Sequence, residues 1–182
     1  MKKGSVKLYA KFLNKIQILK NSPRSGWFLI RAPFESIAAH SYRTALVGLI
    51  LAKMAKLNEN QTLELVKLCL LHDVEEIYTT DLHKIAKKYV KIDSKKVIRD
   101  VIEHKDLYLE YERLLKNKKV FELFLDADKV ECYMTARYYA DLGYKTKKWL
   151  ETIPTLIKTK QAKCLLREFQ KMNTLGILDE MK

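Results

Sequence analysis

The stretch Leu63-Glu64-Leu65-Val66-Lys67-Leu68-Cys69-Leu70-Leu71-His72-Asp73 decides how this chain is read. Asn58 and Gln61 open it in the spacing of a capping box, and its apolar density predicts a largely buried helix that ends shortly after Ile77. An imidazole and a carboxylate side by side in such a run need partners. A buried polar group left unpaired costs roughly 2–7 kcal/mol, and a lone charge costs more. A divalent metal satisfies both at once. Two further ligand types stand in comparable settings: His40 in Ser36-Ile37-Ala38-Ala39-His40-Ser41, and Asp128 in Phe124-Leu125-Asp126-Ala127-Asp128. Two His and two carboxylates offer nitrogen and oxygen donors that suit a borderline transition ion and leave room for water.

Outward from this run, the periodic segments also read as helices. Tyr9, Phe12, Leu13, Ile16 and Leu19 give a first helix its apolar face, and Asn21-Ser22-Pro23 closes it. A second helix starts near Glu35-Ser36 and passes through His40, Leu46, Leu49, Ile50 and Met54. Thr79-Thr80-Asp81 reads as a turn or cap before a short basic helix over 85–90, and Ser94 as the cap of one long segment over 95–115. A further helix is predicted over about 120–139, and Pro154 sits near the start of a final amphipathic one. No strand-like alternation, internal repeat, low-complexity linker or domain boundary interrupts the pattern. Five Gly and three Pro in 182 residues agree with it. The predicted fold is all-α, a single helical bundle over residues 1–182, long enough to bury a core without disulfides or a structural zinc.

Composition narrows the setting. Cys69, Cys132 and Cys164 are an odd, widely spaced set among helix-forming neighbours, read as reduced core or near-core thiols of a cytoplasmic protein. No apolar run reaches bilayer-spanning length, so no membrane partner is expected. Lys7 and Lys11 break any apolar signal core after Lys2-Lys3. The net charge of +13 is uneven, with eight Lys/Arg before the first acid, Glu35. Lys3, Lys7, Lys11 and Lys15 form an i, i+4 basic stripe. It reads as a solvated face, or as a surface that attracts anionic substrates or nucleic acid; no nucleic-acid motif accompanies it.

In a helix, adjacent residues diverge by about 100°, while positions three or four apart share a face. His72 and Asp73 therefore reach one ion only if it lies between their directions, with His40 and Asp128 arriving from other helices. Glu76 follows Asp73 by three residues and His72 by four, so it projects from the same rim. Asp81, just past the helix end, closes the same cleft.

The order His40, His72-Asp73, Asp128 resembles the H…HD…D signature of HD-domain metal-dependent phosphohydrolases. It is most similar to the 5'-deoxynucleotidase branch, which includes a bacterial enzyme and eukaryotic HD-domain-containing relatives. Supporting segments are Leu19-Lys20-Asn21-Ser22-Pro23-Arg24-Ser25-Gly26-Trp27, Glu35 through Ser41, Leu71 through Glu76, Thr80-Asp81-Leu82 and Asp128-Lys129-Val130-Glu131. They span about residues 8–150, with the signature region near 36–130 and a C-terminal helix near 154–172 packing on it. The resemblance implies one divalent ion per chain, cobalt or manganese, with zinc or magnesium as alternatives, held by His40, His72, Asp73 and Asp128. It implies Arg24 on the 5'-phosphate, Trp27 against the sugar disfavouring a 2'-hydroxyl, Glu76 assisting proton transfer at the leaving oxygen, and Asp81 anchoring the substrate. It also implies a homodimer acting on a small nucleotide. Two positions depart from the family pattern: Thr80, where Gly is usual, and His83, where Pro is common.

Several residues compete for these roles. Asp126 rivals Asp128; the following Lys129-Val130-Glu131 favours Asp128, leaving Asp126 to cap or pair. Glu75 reads as a solvated surface acid beside Glu76, and Glu131 as a structural partner. Trp27 has a core-anchor reading as well. Leu107, Tyr111, Leu114 and Leu115 read as core or dimer surface, while Tyr133, Tyr138, Tyr139 and Tyr144 suggest an interface. The expected function is hydrolysis of deoxynucleoside 5'-monophosphates. The alternatives are an HD phosphohydrolase for another nucleotide or phosphomonoester, and a non-catalytic basic nucleic-acid-binding protein.

Overall fold

The computed structural model describes residues 3–174, 176, 180 and 181, apart from the Lys3 side chain, so Lys2 and the first side chain of the basic stripe lie outside the described residues. Among the described residues the secondary structure is helical: α1 (Lys3–Ile16), α2 (Ile37–Met54), α3 (Glu59–Leu71), α4 (Glu76–Thr79), α5 (Ser94–Ile102), α6 (Lys105–Leu114), α7 (Lys118–Asp141), α8 (Lys147–Leu156) and α9 (Lys160–Lys171). Short 3-10 segments lie at Gln17–Lys20, Ser25–Ile30 and Ala86–Lys88.

The helix starts are set by local chemistry. Ser36 Oγ accepts the Ala39 amide at 3.1 Å, and Asn58 and Gln61 form a reciprocal capping box at 2.9 and 3.4 Å. Each satisfies amides that a helix leaves without intrahelical partners. The α2, α3 and α7 helices pack together at the centre, α6 adds to α3, and α8 and α9 add to α7. Ile37 and Leu51 of α2, Leu65 and Leu68 of α3, and Val120, Ala127 and Val130 of α7 are fully buried in one core.

Four boundaries differ from the sequence reading. Helix α3 stops at Leu71, so the His72-Asp73 pair sits in the turn before α4. The predicted 95–115 helix breaks at Glu103, whose φ is 51°, and its cap is Asp93, which accepts the Lys96 amide at 3.1 Å. Lys15 of α1 donates to the Asp100 and Val101 carbonyls at 3.0 and 3.1 Å and reaches Glu103, neutralising the C-terminal end of α5. Lys11 pairs with the same Glu103 at 3.3 Å, so half of the basic stripe serves this junction. Pro154 lies inside α8, and α9 starts separately because Asp126 accepts the Lys158 and Thr159 amides at 3.1 and 2.6 Å. The basic helix expected over 85–90 contracts to the single turn Ala86–Lys88, where His83 Nδ1 accepts the Ala86 amide at 3.2 Å.

Of the three thiols, Cys69 is buried, Cys132 half-buried and Cys164 exposed on α9, so Cys164 is not a core residue. His104 is structural, stacked on Tyr9 with ring centroids 4.3 Å apart. Tyr133 and Tyr139 belong to the interior, whereas Tyr138 is exposed.

Helices α2 and α3 pack tightly at Gly48, where an added Cβ would lie 2.8 Å from Cys69 Sγ. Ala favours helix over Gly, but overpacking a tight contact costs about 1–3 kcal/mol. Gly48→Ala is expected to lower the thermal midpoint, and an unchanged or raised midpoint in calorimetry would show that the contact has slack.

Candidate metal centre

Two backbone hydrogen bonds start the site. Arg24 N–H donates to Glu35 O and Ile37 N–H to Ser22 O, both at 2.9 Å, laying the loop before α2 along its own first turn. That placement brings Arg24 beside His40, one turn into α2. Asp128 and Glu131 share a face of α7, three residues apart, and meet His40 from the other side. Past Leu71 the chain tightens: Val74 N–H donates to Leu71 O at 3.2 Å and Glu76 N–H to Asp73 O at 3.0 Å, i+3 bonds in place of α-helical ones. The turn brings His72 Nε2 and Asp73 Oδ2 within 3.0 Å, which solves the divergence that adjacent helical residues would have.

One donor atom from each of His40, His72 and Asp128 lies within 4.8 Å of the other two. His40 Nε2 is 3.2 Å from His72 Nε2 and 3.2 Å from Asp128 Oδ1. Asp73 Oδ2 stands 3.8 Å from His40 Nε2 and adds a second carboxylate to the rim. Bonds of about 2.0–2.2 Å to a tetrahedral ion would separate ligands by about 3.3 Å, so these spacings fit a divalent metal. The ring tautomers fit as well. His72 Nδ1 donates to Cys69 O at 2.8 Å and His40 Nδ1 donates to Glu131 Oε2, leaving both Nε2 atoms to face the centre.

Beneath the ligands lies a buried polar network. Glu131 is fully buried. Its Oε2 takes His40 and, at 3.1 Å, Arg24 Nη1; its Oε1 takes Arg43 Nε at 2.8 Å and Thr135 Oγ1 at 2.9 Å. Arg43 continues to Glu35, and Glu35 accepts Trp27 Nε1–H. Burial pushes the Glu131 carboxyl up, but His40, Arg24 and Arg43 outweigh it and hold it near about 2. Burial likewise opposes the Asp73 and Asp128 charges, and the imidazoles hold both below the usual carboxylate range. Burial and Arg24 push His40 down, yet its hydrogen bonds to Asp128 and Glu131 raise it to about 9. A metal must displace that proton to bind Nε2.

The other predicted residues take different positions. Glu76 is buried, and among the described residues its Oε2 has no hydrogen-bond partner. Burial, then the Asp73 and Asp81 carboxylates, push it up to about 9, so it stays protonated at neutral pH without a bound cation. Asp81 Oδ2 accepts Ser25 N–H at 2.7 Å and Ser25 Oγ–H at 3.2 Å, tying the rim to the Arg24 loop. Trp27 is packed in the interior, 2 % exposed, edge-on to Tyr139 and tilted against Trp149 at 5.1 and 5.4 Å between ring centroids. It is packed as a core residue, and its Nε1–H holds Glu35. Asp126 points to the α8–α9 junction and away from the cluster. Thr80 has φ 57° and ψ 166°, a region open almost only to Gly.

The residues missed as site organisers are Glu35 and Arg43. Nothing local marks them, since the Glu131 and Thr135 that join them lie across the fold; only the three-residue spacing of Glu131 from Asp128 was a signal.

A family model described as an HD domain matches residues 16–172. The chain belongs to the HD-domain family. HD domains are usually metal-dependent hydrolases, and the grouping of His40, His72 and Asp128 agrees with metal binding. Solved structures are similar along most of this HD-domain chain. A conserved hypothetical protein from Pyrococcus furiosus has TM-score 0.73 and 27% identity, covering 88% of this chain and 98% of its own. The PH0347 protein from Pyrococcus horikoshii OT3 has TM-score 0.70 and 25% identity, covering 87% and 96%. A predicted coding region from Archaeoglobus fulgidus, at 23% identity and TM-score 0.60 over 91% and 94% of the two chains, shares the fold. No curated protein matches.

Two predictions follow from this geometry. Glu131→Gln keeps the shape but removes the charge that orients His40, and is expected to weaken manganese or zinc affinity about 10–100-fold; titration calorimetry showing unchanged affinity would leave Glu131 a packing residue. Thr80→Gly is expected to raise stability by about 1–3 kcal/mol by relieving the strained backbone, and denaturant unfolding with no gain would show that Thr80 is not strained.

Proposed function

We propose that this HD-domain protein is a divalent-metal-dependent phosphomonoesterase that hydrolyses deoxynucleoside 5'-monophosphates to deoxynucleosides and phosphate, acting as a cytoplasmic homodimer. One observation carries the reading: a metal-ligand cluster is flanked by a guanidinium, Arg24, and by a buried carboxyl, Glu76, that favours its neutral form. A structural metal site needs neither. A divalent cation bound by His40, His72, Asp73 and Asp128 supplies Lewis acidity, polarising the phosphoryl group and acidifying water.

The chain's own groups do the rest. Arg24 spends Nη1 on Glu131, and a guanidinium has five N–H donors, so others remain for phosphoryl oxygens. Glu131 keeps that guanidinium from swinging out. Glu76, whose burial favours the neutral form, donates its proton to the departing ester oxygen, which avoids expelling an alkoxide. Asp81 anchors Ser25 and thereby the Arg24 loop, and its carboxylate borders the place of the sugar. For the dimer, the support is an exposed apolar stripe along α2, formed by Tyr42, Leu46, Leu49, Ile50 and Met54.

A second reading keeps the chemistry and changes the substrate. Trp27 lies in the core and Thr80 stands where the family pattern has Gly, so the sugar wall differs from the one the resemblance implies. Under this reading ribonucleotides or another phosphomonoester are accepted. The nucleic-acid reading has less support, since Lys11 and Lys15 are both committed to Glu103.

Phosphate release from paired deoxy- and ribonucleoside 5'-monophosphates, with metal-stripped protein reloaded with cobalt, manganese, zinc or magnesium, separates these readings. Metal-dependent turnover with deoxy preference is the expected result; turnover without preference selects the second reading, and no release with any metal removes both. Glu76→Gln is expected to bind metal normally and lose about 10²–10⁴-fold in turnover. In the metal-free protein, the raised Glu76 pKa favours the folded state most fully below its ordinary 4.5, and that contribution is lost as pH rises toward about 9. The thermal midpoint of Glu76→Gln should therefore fall less over that range than the wild type's, and parallel pH profiles would remove the neutral-carboxyl assignment.

A further inference from the structure

His72 borders more than the metal cluster. Beside it, between the α3–α4 turn and the α5–α6 pair, lies a cavity of about 240 Å³ walled by Glu75, Ile98, Tyr108, Tyr111 and Leu115. That is below the roughly 300–1,000 Å³ of pockets enclosing whole drug-sized ligands, and suits a single ring system. Glu75 departs from the sequence expectation of a solvated surface acid. Its Oε2 is buried and, among the described residues, has no hydrogen-bond partner. A buried acceptor in this state is costly, and turning the Glu75 side chain into the cavity would let a ligand N–H satisfy it.

The other walls are chosen for a flat ring. Tyr108 is held in place by donating its hydroxyl to Glu112 Oε1 at 2.7 Å. Tyr111 is 5 % exposed, and burial with the charges of Glu75 and Asp73 pushes its phenol up to about 12, so it keeps its proton for donation. Ile98 and Leu115 are apolar. Ser94, Lys95 and Glu112 complete the lining. A carboxylate acceptor, a phenol and aromatic and aliphatic walls, beside His72, match the edge and faces of a nucleobase.

We infer that this cavity is the nucleobase subsite, in which Glu75 accepts a base N–H and the ring packs among Tyr108, Tyr111 and Ile98. The inference deepens the nucleotidase reading and rests on it for the source of the ligand. It makes the base a recognised part of the substrate, so 2-deoxyribose 5-phosphate, which carries the same phosphate and sugar without a base, is a poorer substrate.

The test compares kcat/KM for dAMP, dCMP and TMP with that for 2-deoxyribose 5-phosphate in the metal-loaded protein. The wild type should favour the nucleotides about tenfold or more, as aromatic contact with a base typically provides. In Glu75→Ala, and in Leu115→Trp, which fills the mouth, that ratio should drop toward one. Glu75→Ala removes an unpaired buried oxygen, so its thermal midpoint serves as the folding control and should not fall. In parallel, 2'-deoxyadenosine and 2'-deoxycytidine are titrated into the metal-stripped protein with labelled tyrosines. Shifts of the Tyr108 and Tyr111 rings at millimolar nucleoside, lost in Leu115→Trp, support the subsite even if no nucleotide is hydrolysed, in which case only the phosphomonoesterase reading falls. Turnover with a ratio near one in the wild type, or ratios unchanged in both variants, overturns the subsite while leaving the phosphomonoesterase standing; so does a lack of ring shifts with either nucleoside.

Discussion

A carboxylate buried as completely as Glu131 is unfavourable unless positive groups and hydrogen bonds surround it, and much of the site is arranged to meet that demand. Arg24 comes from the loop before α2, His40 and Arg43 from α2, and Thr135 from the next turn of α7. Each of these segments is held in register by the need to reach the same two oxygens. Removing any one of them leaves charge uncompensated in the interior. The consequence at the surface of the network is specific: with Nδ1 of His40 committed to Glu131, Nε2 is the nitrogen that faces His72 and Asp128.

The same neighbourhood separates acidic side chains by environment. Asp73 and Asp128 lie against imidazoles that hold both below the usual carboxylate range. Glu76, with carboxylates for neighbours and little exposure, is driven the other way. Carboxyl groups whose environments push their pKa values apart within one cleft are the usual arrangement for dividing ligand and acid roles. The division follows from where the helix ends. Had α3 continued past Leu71, His72 and Asp73 would have diverged around its axis; the i+3 turn lets them converge and then restarts the chain as α4 with Glu76 in its first turn.

Strain marks the far edge of this turn. Thr80 adopts a glycine-like conformation immediately before Asp81, whose carboxylate is fixed on Ser25. The backbone is thus held by a long-range hydrogen bond in a shape its own side chain disfavours. The Arg24 loop gains its position from the same bond, so a strained connection and the Arg24 guanidinium are linked through one acidic side chain.

The sequence by itself determined the helical class, the capping box at Asn58, the family signature and the candidate metal-ligand types, because each depends on chemistry within a few residues or on residue identity and order. Tertiary structure alone decided the rest. It ended α3 at Leu71, split the 95–115 helix where Lys11 and Lys15 reach Glu103, and started α9 where Asp126 receives two amides. It turned Trp27 inward onto Glu35 and exposed Cys164. It also drew Glu35 and Arg43 into one network with Glu131 and placed Glu75 in the wall of a cavity. The deciding partners lie outside the helix they end or the side chain they turn, at separations that local periodicity does not record.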